Sequence, residues 1–210
     1  MDDSGLVVLL MILPTVGIFL FVFWFIKRSF VKTEQQWELL AKRLSAQLHM
    51  PESRWAWILG KYPTIEGNVG GFPFTCYMFV RGSGKHQQTY TAFAFETKAP
   101  SSKTLSLYKE GFFSKIGKAF GGQDIQIGDE DFDKSYIIKS NDELFAKRVY
   151  NPRTRQLLLR KMPRMTGQFV LENGILTYHE MIVINSDKNR EKWQDTINVG
   201  VEFAKEIQGR

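Results

Sequence analysis

The chain begins with a long block of apolar residues. Residues 5–26 read GLVVLLMILPTVGIFLFVFWFI and contain no charged side chain. As a helix rising about 1.5 Å per residue, this block reaches about 33 Å, enough to cross a hydrocarbon core of about 30 Å. Pro14 is tolerated better in a membrane helix than in a soluble one, and Trp24 lies where an indole can sit among the headgroups. The pattern predicts a transmembrane helix.

A cleaved signal peptide and a buried core helix are the two alternatives to a retained anchor. A signal peptide starts with cations and ends at a small-residue cleavage site. Here the start is Met1-Asp2-Asp3-Ser4, and residues 19–25 are bulky and apolar. Apolar side chains all round the helix suit lipid better than the core of a 24.3 kDa protein. We therefore predict that the anchor is retained.

The charges on either side of the apolar block predict its orientation. Asp2 and Asp3 precede it, whereas Lys27, Arg28 and Lys32 follow it. Cytoplasmic flanks carry the excess of Lys and Arg, so the bulk of the chain is predicted to face the cytoplasm. The protein is then single-pass, with a very short N-terminus outside.

A helical pattern follows the anchor almost directly, which predicts close coupling between the anchor and the domain. Thr33, with Gln36 in capping-box spacing, is predicted to begin an amphipathic helix that runs to about residue 49. Its apolar stripe comprises Trp37, Leu40, Ala41, Leu44 and Leu48. The predicted organisation is an external tail (1–4), a transmembrane helix (5–26), a juxtamembrane amphipathic helix (27–50) and a cytoplasmic domain (51–210).

Alternating apolar and polar residues predict an antiparallel sheet in the domain. A Gly-rich turn at residues 82–85 separates two of the predicted strands. Asn173-Gly174 is the strongest short hairpin signal in the chain. The predicted strands are residues 72–80, 89–97, 104–109, 135–139, 168–172 and 175–180.

Three helices are predicted in the second half of the chain. Asn141 or Asp142 can cap the first helix, and Asn151-Pro152 can begin the second, which runs to about residue 161. The last begins near Ser186 or Asp187, and its stripe is Trp193, Ile197, Val201, Ala204 and Ile207. The predicted fold class is α+β: an N-terminal transmembrane helix, then one soluble domain with a mainly antiparallel sheet and a C-terminal amphipathic helix. A small barrel closed by that last helix is an alternative on strand count.

The residue types that usually carry catalysis are sparse. Cys76 is the single cysteine, which excludes an intramolecular disulfide and a zinc site of paired thiolates. It shares a strand face with Phe74 and Met78, which predicts a buried thiol. His49, His86 and His179 are the three histidines, and they are widely separated. No catalytic residue, cofactor or metal ligand is predicted.

Two short motifs resemble binding loops but lack residues that those loops need. Residues 82–85 (GSGK) lack the first glycine and the final Ser or Thr of a phosphate-binding loop, so a hairpin turn is predicted. Asp129, Asp131 and Asp133 alternate as in a calcium loop, but the glycine and glutamate positions hold Lys134 and Ser140. A solvated acidic loop is predicted there, with a weak cation site as the alternative.

The charge balance draws attention to one basic stretch. The chain has 28 Lys and Arg against 22 Asp and Glu, a net charge of +6. Residues 144–171 contain no acid, and such a run attracts phosphates. It is a candidate surface for anionic lipid headgroups, and the alternative is a solvated face balanced by acids elsewhere in the fold. Its cations are Lys147, Arg148, Arg153, Arg155, Arg160, Lys161 and Arg164.

A second candidate membrane contact is a short amphipathic segment. Its apolar residues could share one helix face beside Lys115 and Lys118, as in an interfacial helix. The alternative is burial against the sheet. The apolar residues are Phe112, Phe113, Ile116 and Phe120.

Residues 112–142 carry a resemblance to a known family. Gly128, Asp129, Phe132 and Asp133 lead into the strand Tyr136-Ile137-Ile138, and residues 141–159 add a short helix with a basic, leucine-rich continuation. This pattern resembles a family of uncharacterised bacterial single-pass membrane-anchored proteins with a domain of unknown function. The resemblance implies a bacterial cytoplasmic (inner) membrane protein, and it implies no catalytic residue or ligand.

The sequence therefore predicts a non-enzymatic, membrane-tethered cytoplasmic domain that binds a protein partner or the anionic inner leaflet. The alternative is a membrane-anchored hydrolase or other enzyme whose site is assembled from distant residues. A concave pocket gathering His179, Cys76 or the acids of residues 129–133 would favour the enzyme. Nucleic acid is disfavoured because Tyr150 is the only aromatic residue in 147–164.

Overall fold

The structure is a computed structural model that describes residues 3–53, 56–57, 60–109, 123–163 and 165–209, with the backbone alone at 3–12, 26 and 123. The predicted amphipathic segment at residues 112–120 and the cation Arg164 lie outside the described residues. The helices are α1 (Asp3–Leu44), α2 (Glu130–Ser135), α3 (Glu143–Val149), α4 (Pro152–Lys161) and α5 (Asp187–Gln208). The strands are β1 (Gln47–His49), β2 (Thr64–Val69), β3 (Phe72–Arg81), β4 (Gln88–Glu96), β5 (Leu105–Tyr108), β6 (Gln123–Asp124), β7 (Ile137–Ser140), β8 (Gln168–Glu172) and β9 (Ile175–Glu180).

The apolar block and the following amphipathic stretch form one uninterrupted helix, α1, with Pro14 inside it. Thr33 does not begin a new helix: its hydroxyl donates to the Ser29 carbonyl oxygen at 3.1 Å, one turn back in the same helix. The helix ends at Leu44 rather than near residue 49, because Ser45 takes a left-handed φ of 51°. Leu48 then lies in β1 opposite Ile65.

The sheet is antiparallel at every described pairing, as the sequence predicts. The order of its nine described strands is β1-β2-β3-β4-β9-β8-β5-β7-β6, so β1 and β6 form opposite edges instead of closing a barrel. Asn173 and Gly174 both have positive φ, 52° and 77°, which suits the tight turn between β8 and β9. All six predicted strands are present.

The C-terminal helix α5 covers one face of the sheet. Its predicted stripe is buried, and Trp193 is 0% exposed between the rings of Phe93 and Tyr178. Gly200 allows this close approach, since a Cβ there would lie 2.7 Å from Phe93. The indole N–H of Trp193 donates to the Cys76 sulfur at 3.4 Å, so Cys76 lies inside this core as predicted.

The stretch predicted as an acidic loop is the short helix α2 and its cap. Asp129 is the N-cap residue and accepts a hydrogen bond from the Phe132 amide at 3.2 Å. Phe132 is fully buried between the rings of Tyr136 and Tyr150. The acids are therefore held in place by a buried aromatic residue, which the charge pattern alone does not reveal.

Candidate functional site

The N-terminal half of α1 is apolar and fully uncovered. Every described side chain in residues 13–25 is exposed, including Phe19 at 79%. The chain has one described helix long and apolar enough to cross a membrane, and none of its most apolar window is buried. This exposure excludes the buried core helix considered above. A signal sequence near the N-terminus meets the same length and composition criteria.

The C-terminal half of the same helix is embedded in the domain. Trp37, Leu40 and Ala41 are at most 4% exposed. At the point where the helix leaves the domain, Phe30 meets the ring of Trp57 edge-on, with centroids 5.1 Å apart. The helix is thus fixed to the fold by apolar contacts on one side.

A buried arginine links α1 to α5. Arg190 is 5% exposed, and its Nε donates to Oε1 of Gln36 at 2.9 Å. Its charge is balanced by Asp187, whose Oδ1 accepts from the same guanidinium at 3.1 Å. A buried cation is stable only with such partners, so the pairing fixes how the two helices lie against each other.

The candidate cations of the basic stretch are mostly engaged by partners within the fold. Arg155 donates from Nε to Oδ2 of Asp129 at 2.7 Å. Arg153 pairs with Glu202 at 3.2 Å. Arg148 donates to the carbonyl oxygens of residues 206 and 207 at the end of α5.

The remaining cations of this stretch differ from one another. Lys147 pairs with Glu143 at 2.7 Å across one helical turn. Arg160 and Lys161 are exposed, and no described residue forms an ion pair with either. The stretch thus has two exposed cations without a described ion-pair partner beside four with internal partners, and of those four Arg153 is itself 76% exposed.

A buried carboxylate at the end of β9 forms a small polar cluster. Glu180 is 2% exposed and accepts from the Tyr178 hydroxyl at 2.9 Å. Its other oxygen accepts from Thr166 and Lys192. Burial and the adjacent carboxylate raise the pKa of Tyr178 well above its usual value. A nearby cavity of about 310 Å³ is lined in part by Tyr178 and Lys192. With three donors on it, the carboxylate has a structural role in this part of the fold.

The sequence candidates for nucleophilic or acid–base chemistry are not assembled into a site. Burial raises the pKa of the Cys76 thiol to about 12, and burial together with Arg81 lowers the pKa of His179 to about 4. His179 lies against the rings of Phe79 and Tyr90, on the opposite strand face from Glu180.

Two of the acids after residue 128, Asp129 and Asp133, are also used internally. Asp133 accepts from the amides of Ile127 and Gly128 at 3.0 and 2.9 Å. Neither the cavity beside Glu180 nor a second cavity, lined in part by Arg153, Arg160 and Glu202, contains these acids, Cys76 or His179. Within the described ranges, no three His, Cys, Asp or Glu side chains are grouped to hold a metal ion.

A third cavity, of about 420 Å³, lies where α1 leaves the domain. One wall is α1, and the other consists of Asn185 and Ser186, just before α5. The α1 wall comprises Trp24, Phe25, Arg28, Ser29 and Lys32. We call this cavity the exit cleft. It places two cations and two aromatic rings at the end of the apolar segment.

Sequence reasoning missed the residues that join the helices. Gln36 and Arg190 are far apart in the chain, and no local pattern marks either as a partner. The exit cleft was missed for the same reason, although the flanking cations Arg28 and Lys32 were used to predict orientation. Their clustering with residues 185–186 depends on the docking of α5.

Comparisons with known proteins add a likeness of fold. No family model matches the chain, and no curated protein matches it. A crystal structure of the mycobacterial trehalose monomycolate transport factor A, TtfA, matches with a TM-score of 0.56 and 12% sequence identity. The match covers 84% of this chain and 94% of that one. At this identity the likeness concerns the backbone, and the chain therefore has the fold of that transport factor.

Proposed function

We propose that this protein is a non-enzymatic, single-pass inner-membrane protein whose cytoplasmic domain binds a protein partner in the membrane. The observation that carries the proposal is the continuity of α1. One helix runs from an exposed apolar half directly into a half buried in the domain. A flexible linker would let the domain diffuse, whereas a continuous helix holds it close to the bilayer in a fixed orientation.

The role of the structural neighbour supports a membrane-associated task. TtfA is described as a transport factor. We infer a comparable supporting role for this chain, in which the domain is an accessory component that a membrane assembly recognises. Among the described residues that the enzymatic alternative could use, Cys76 is buried and Glu180 is held by structural hydrogen bonds.

The topology is tested with reporters fused after Arg210. A reporter active only in the cytoplasm should be active, because Lys27, Arg28 and Lys32 resist translocation. A matched fusion to a reporter active only in the periplasm should be silent. Activity of the periplasmic fusion with silence of the cytoplasmic one would contradict the proposed orientation.

The partner is tested by crosslinking in native membranes followed by purification. The full chain should capture a membrane protein that a matched chain of residues 27–210, lacking the apolar half of α1, does not capture. A Trp37→Ala chain keeps the anchor but loosens the helix from the domain, so it should capture less. Equal capture by all three chains, or capture of nothing above background, would contradict a role that depends on anchored display.

A further inference from the structure

We propose that the exit cleft is a binding site for the phosphate of an anionic membrane phospholipid. This site is distinct from the basic stretch at 147–164. It rests on the membrane placement in the proposed function and does not depend on a protein partner.

The residues of α1 that line the cleft are spaced so that they lie on the same side of the helix. Phe25, Arg28, Ser29 and Lys32 recur at three- and four-residue intervals, so they share one face of the helix. Arg28 lies with its guanidinium carbon 5.1 Å from the centre of the Trp24 ring. Stacking of this kind holds the cation in place while its N–H groups remain available.

The charge in the cleft is unbalanced. No acidic side chain is among the residues that line it. The nearest acid in sequence, Asp187, is engaged by Arg190. Arg28 and Lys32 form no ion pair with any described residue, in contrast to Arg153 and Arg155. An anion is the missing partner, and a phosphate with Arg and Lys donors around it is a favourable arrangement.

The surroundings favour a lipid over a soluble anion. Trp24 and Phe25 form the membrane-side part of the cleft and are 51% and 62% exposed. They continue into the exposed apolar half of α1, which supplies a path for acyl chains. A phosphate in the cleft would therefore lie at the depth that the indole marks as the headgroup layer.

The loop that forms the other wall carries a second apolar feature. Met181 is 51% exposed, and Ile182 and Val183 are half-buried just before Asn185. The Thr91 hydroxyl donates to the Ile182 carbonyl oxygen at 2.6 Å, which fixes this loop to the sheet. An exposed methionine at the start of the loop that leads to Asn185 is suited to contact with the membrane interface.

The test uses the full chain in micelles of an uncharged detergent, with phosphatidylglycerol as the probe and bound lipid measured by native mass spectrometry. The double change Arg28→Gln and Lys32→Gln should weaken binding about 30-fold, since each cation near a phosphate contributes on the order of 1 kcal/mol. Asn185→Ala should cause a smaller loss, because a neutral hydrogen bond contributes less. Carbonate extraction of the double variant checks that it remains in the membrane.

Lys27→Gln is the matched control. It removes the same charge from the same part of α1, but Lys27 does not line the cleft. Its lipid binding should stay close to that of the unchanged chain. The single change Lys32→Gln is measured beside it. If Lys27→Gln weakens lipid binding as much as Lys32→Gln does, the lipid is attracted by the overall charge of this part of α1 and the cleft assignment is wrong.

Two further arms separate this inference from its alternatives. Inorganic phosphate should not displace the lipid, and displacement at equal concentration would assign the cleft to a soluble anion and overturn the proposal. Partner capture is scored separately in native membranes. A chain that captures a partner but holds no phosphatidylglycerol overturns this inference alone, and the reverse result overturns the partner role while supporting the cleft.

Discussion

Two groups of cations in this protein look equivalent in sequence and differ in the fold. The basic stretch at 147–164 has four of its six described cations occupied by internal partners, among them Arg155 on Asp129 and Arg153 on Glu202. The cations after the apolar block, Arg28 and Lys32, face an open cleft without an acidic lining residue. A dense run of cations in sequence therefore does not show which of them have partners inside the fold. Availability depends on which acids the fold brings to them.

Helix α5 connects the two groups. Ser186, its N-cap residue, lines the exit cleft, whereas Glu202 near its other end neutralises Arg153. Between these two ends, the buried apolar stripe of α5 packs against the sheet. Changes along α5 and its neighbours can therefore test whether the two groups are distinguished by the fold.

The largest expected effect is loss of the α5 anchor. Trp193→Ala should lower the free energy of unfolding by about 3–5 kcal/mol, because the indole is 0% exposed and its removal leaves a cavity. Trp24→Ala is the matched control: this indole is 51% exposed, so the stability of the domain should be almost unchanged. Thermal unfolding in detergent measures both variants. Equal melting temperatures for Trp193→Ala and the unchanged chain would mean that α5 is not docked through this face.

Mild acid should weaken the core through His179. The folded-state pKa of His179 is lowered to about 4, against about 6.5 in an unfolded chain, so the unfolded state takes up the proton first. Stability is then fully present above pH 6.5 and falls as the pH drops toward 4, by on the order of 3 kcal/mol.

Denaturant unfolding at several pH values between 7 and 4 tests this expectation. His179→Gln should flatten the pH dependence in this window whatever its effect on stability at pH 7. His86→Gln changes an exposed histidine and should leave the slope unchanged. If the free energy of unfolding of His179→Gln depends on pH as steeply as that of the unchanged chain, another group is responsible.

Charge reversal at two arginines of the same helix separates occupied from available cations. Arg155→Glu should cost about 2 kcal/mol of stability, because it places a carboxylate against Asp129 and removes a half-buried charged hydrogen bond. Arg160→Glu should cost less than about 0.5 kcal/mol, since Arg160 is exposed.

Similar stability losses in the two variants would remove the distinction between occupied and available cations in this stretch. A joint charge reversal at residues 153, 155, 160 and 161 would combine loss of surface charge with damage to the contact between Arg155 and Asp129.

The smallest expected effect concerns the exposed pair between Lys147 and Glu143. Glu143→Gln should change stability by only about 0.3–0.5 kcal/mol, because both side chains are about half exposed and solvent screens the pair. Melting curves at low and high salt measure it. A loss as large as that of Arg155→Glu would show that exposure does not set the strength of these pairs.

Much of the sheet is predictable because its signals are local. The β8–β9 hairpin follows from Asn173-Gly174, whose residues accept positive φ. Strand β2 was missed because TIEGNV contains one strongly apolar buried residue, Ile65, and its pairing with β3 supplies the rest. The spacing of Thr33 and Gln36 is typical of a helix start, but helix α1 begins at Asp3 and continues through both residues.

The functional features depend on contacts that sequence patterns do not encode. Arg155 and Arg160 lie on one helix with the same charge, and only the position of Asp129 distinguishes them. The exit cleft likewise requires residues 185–186 to meet α1. Orientation and the anchor were predicted from composition, whereas the availability of each cation required the fold.

The central claim is that the apolar half of α1 stays in the membrane as part of the mature protein, and the most direct test is the intact mass of the protein. Membranes from cells expressing the full chain are washed with alkaline carbonate, and the protein that remains is weighed by mass spectrometry. The account predicts a membrane-bound species of about 24.3 kDa that still contains residues 5–26. A shorter, carbonate-soluble species lacking those residues would identify a cleaved signal sequence and contradict the account.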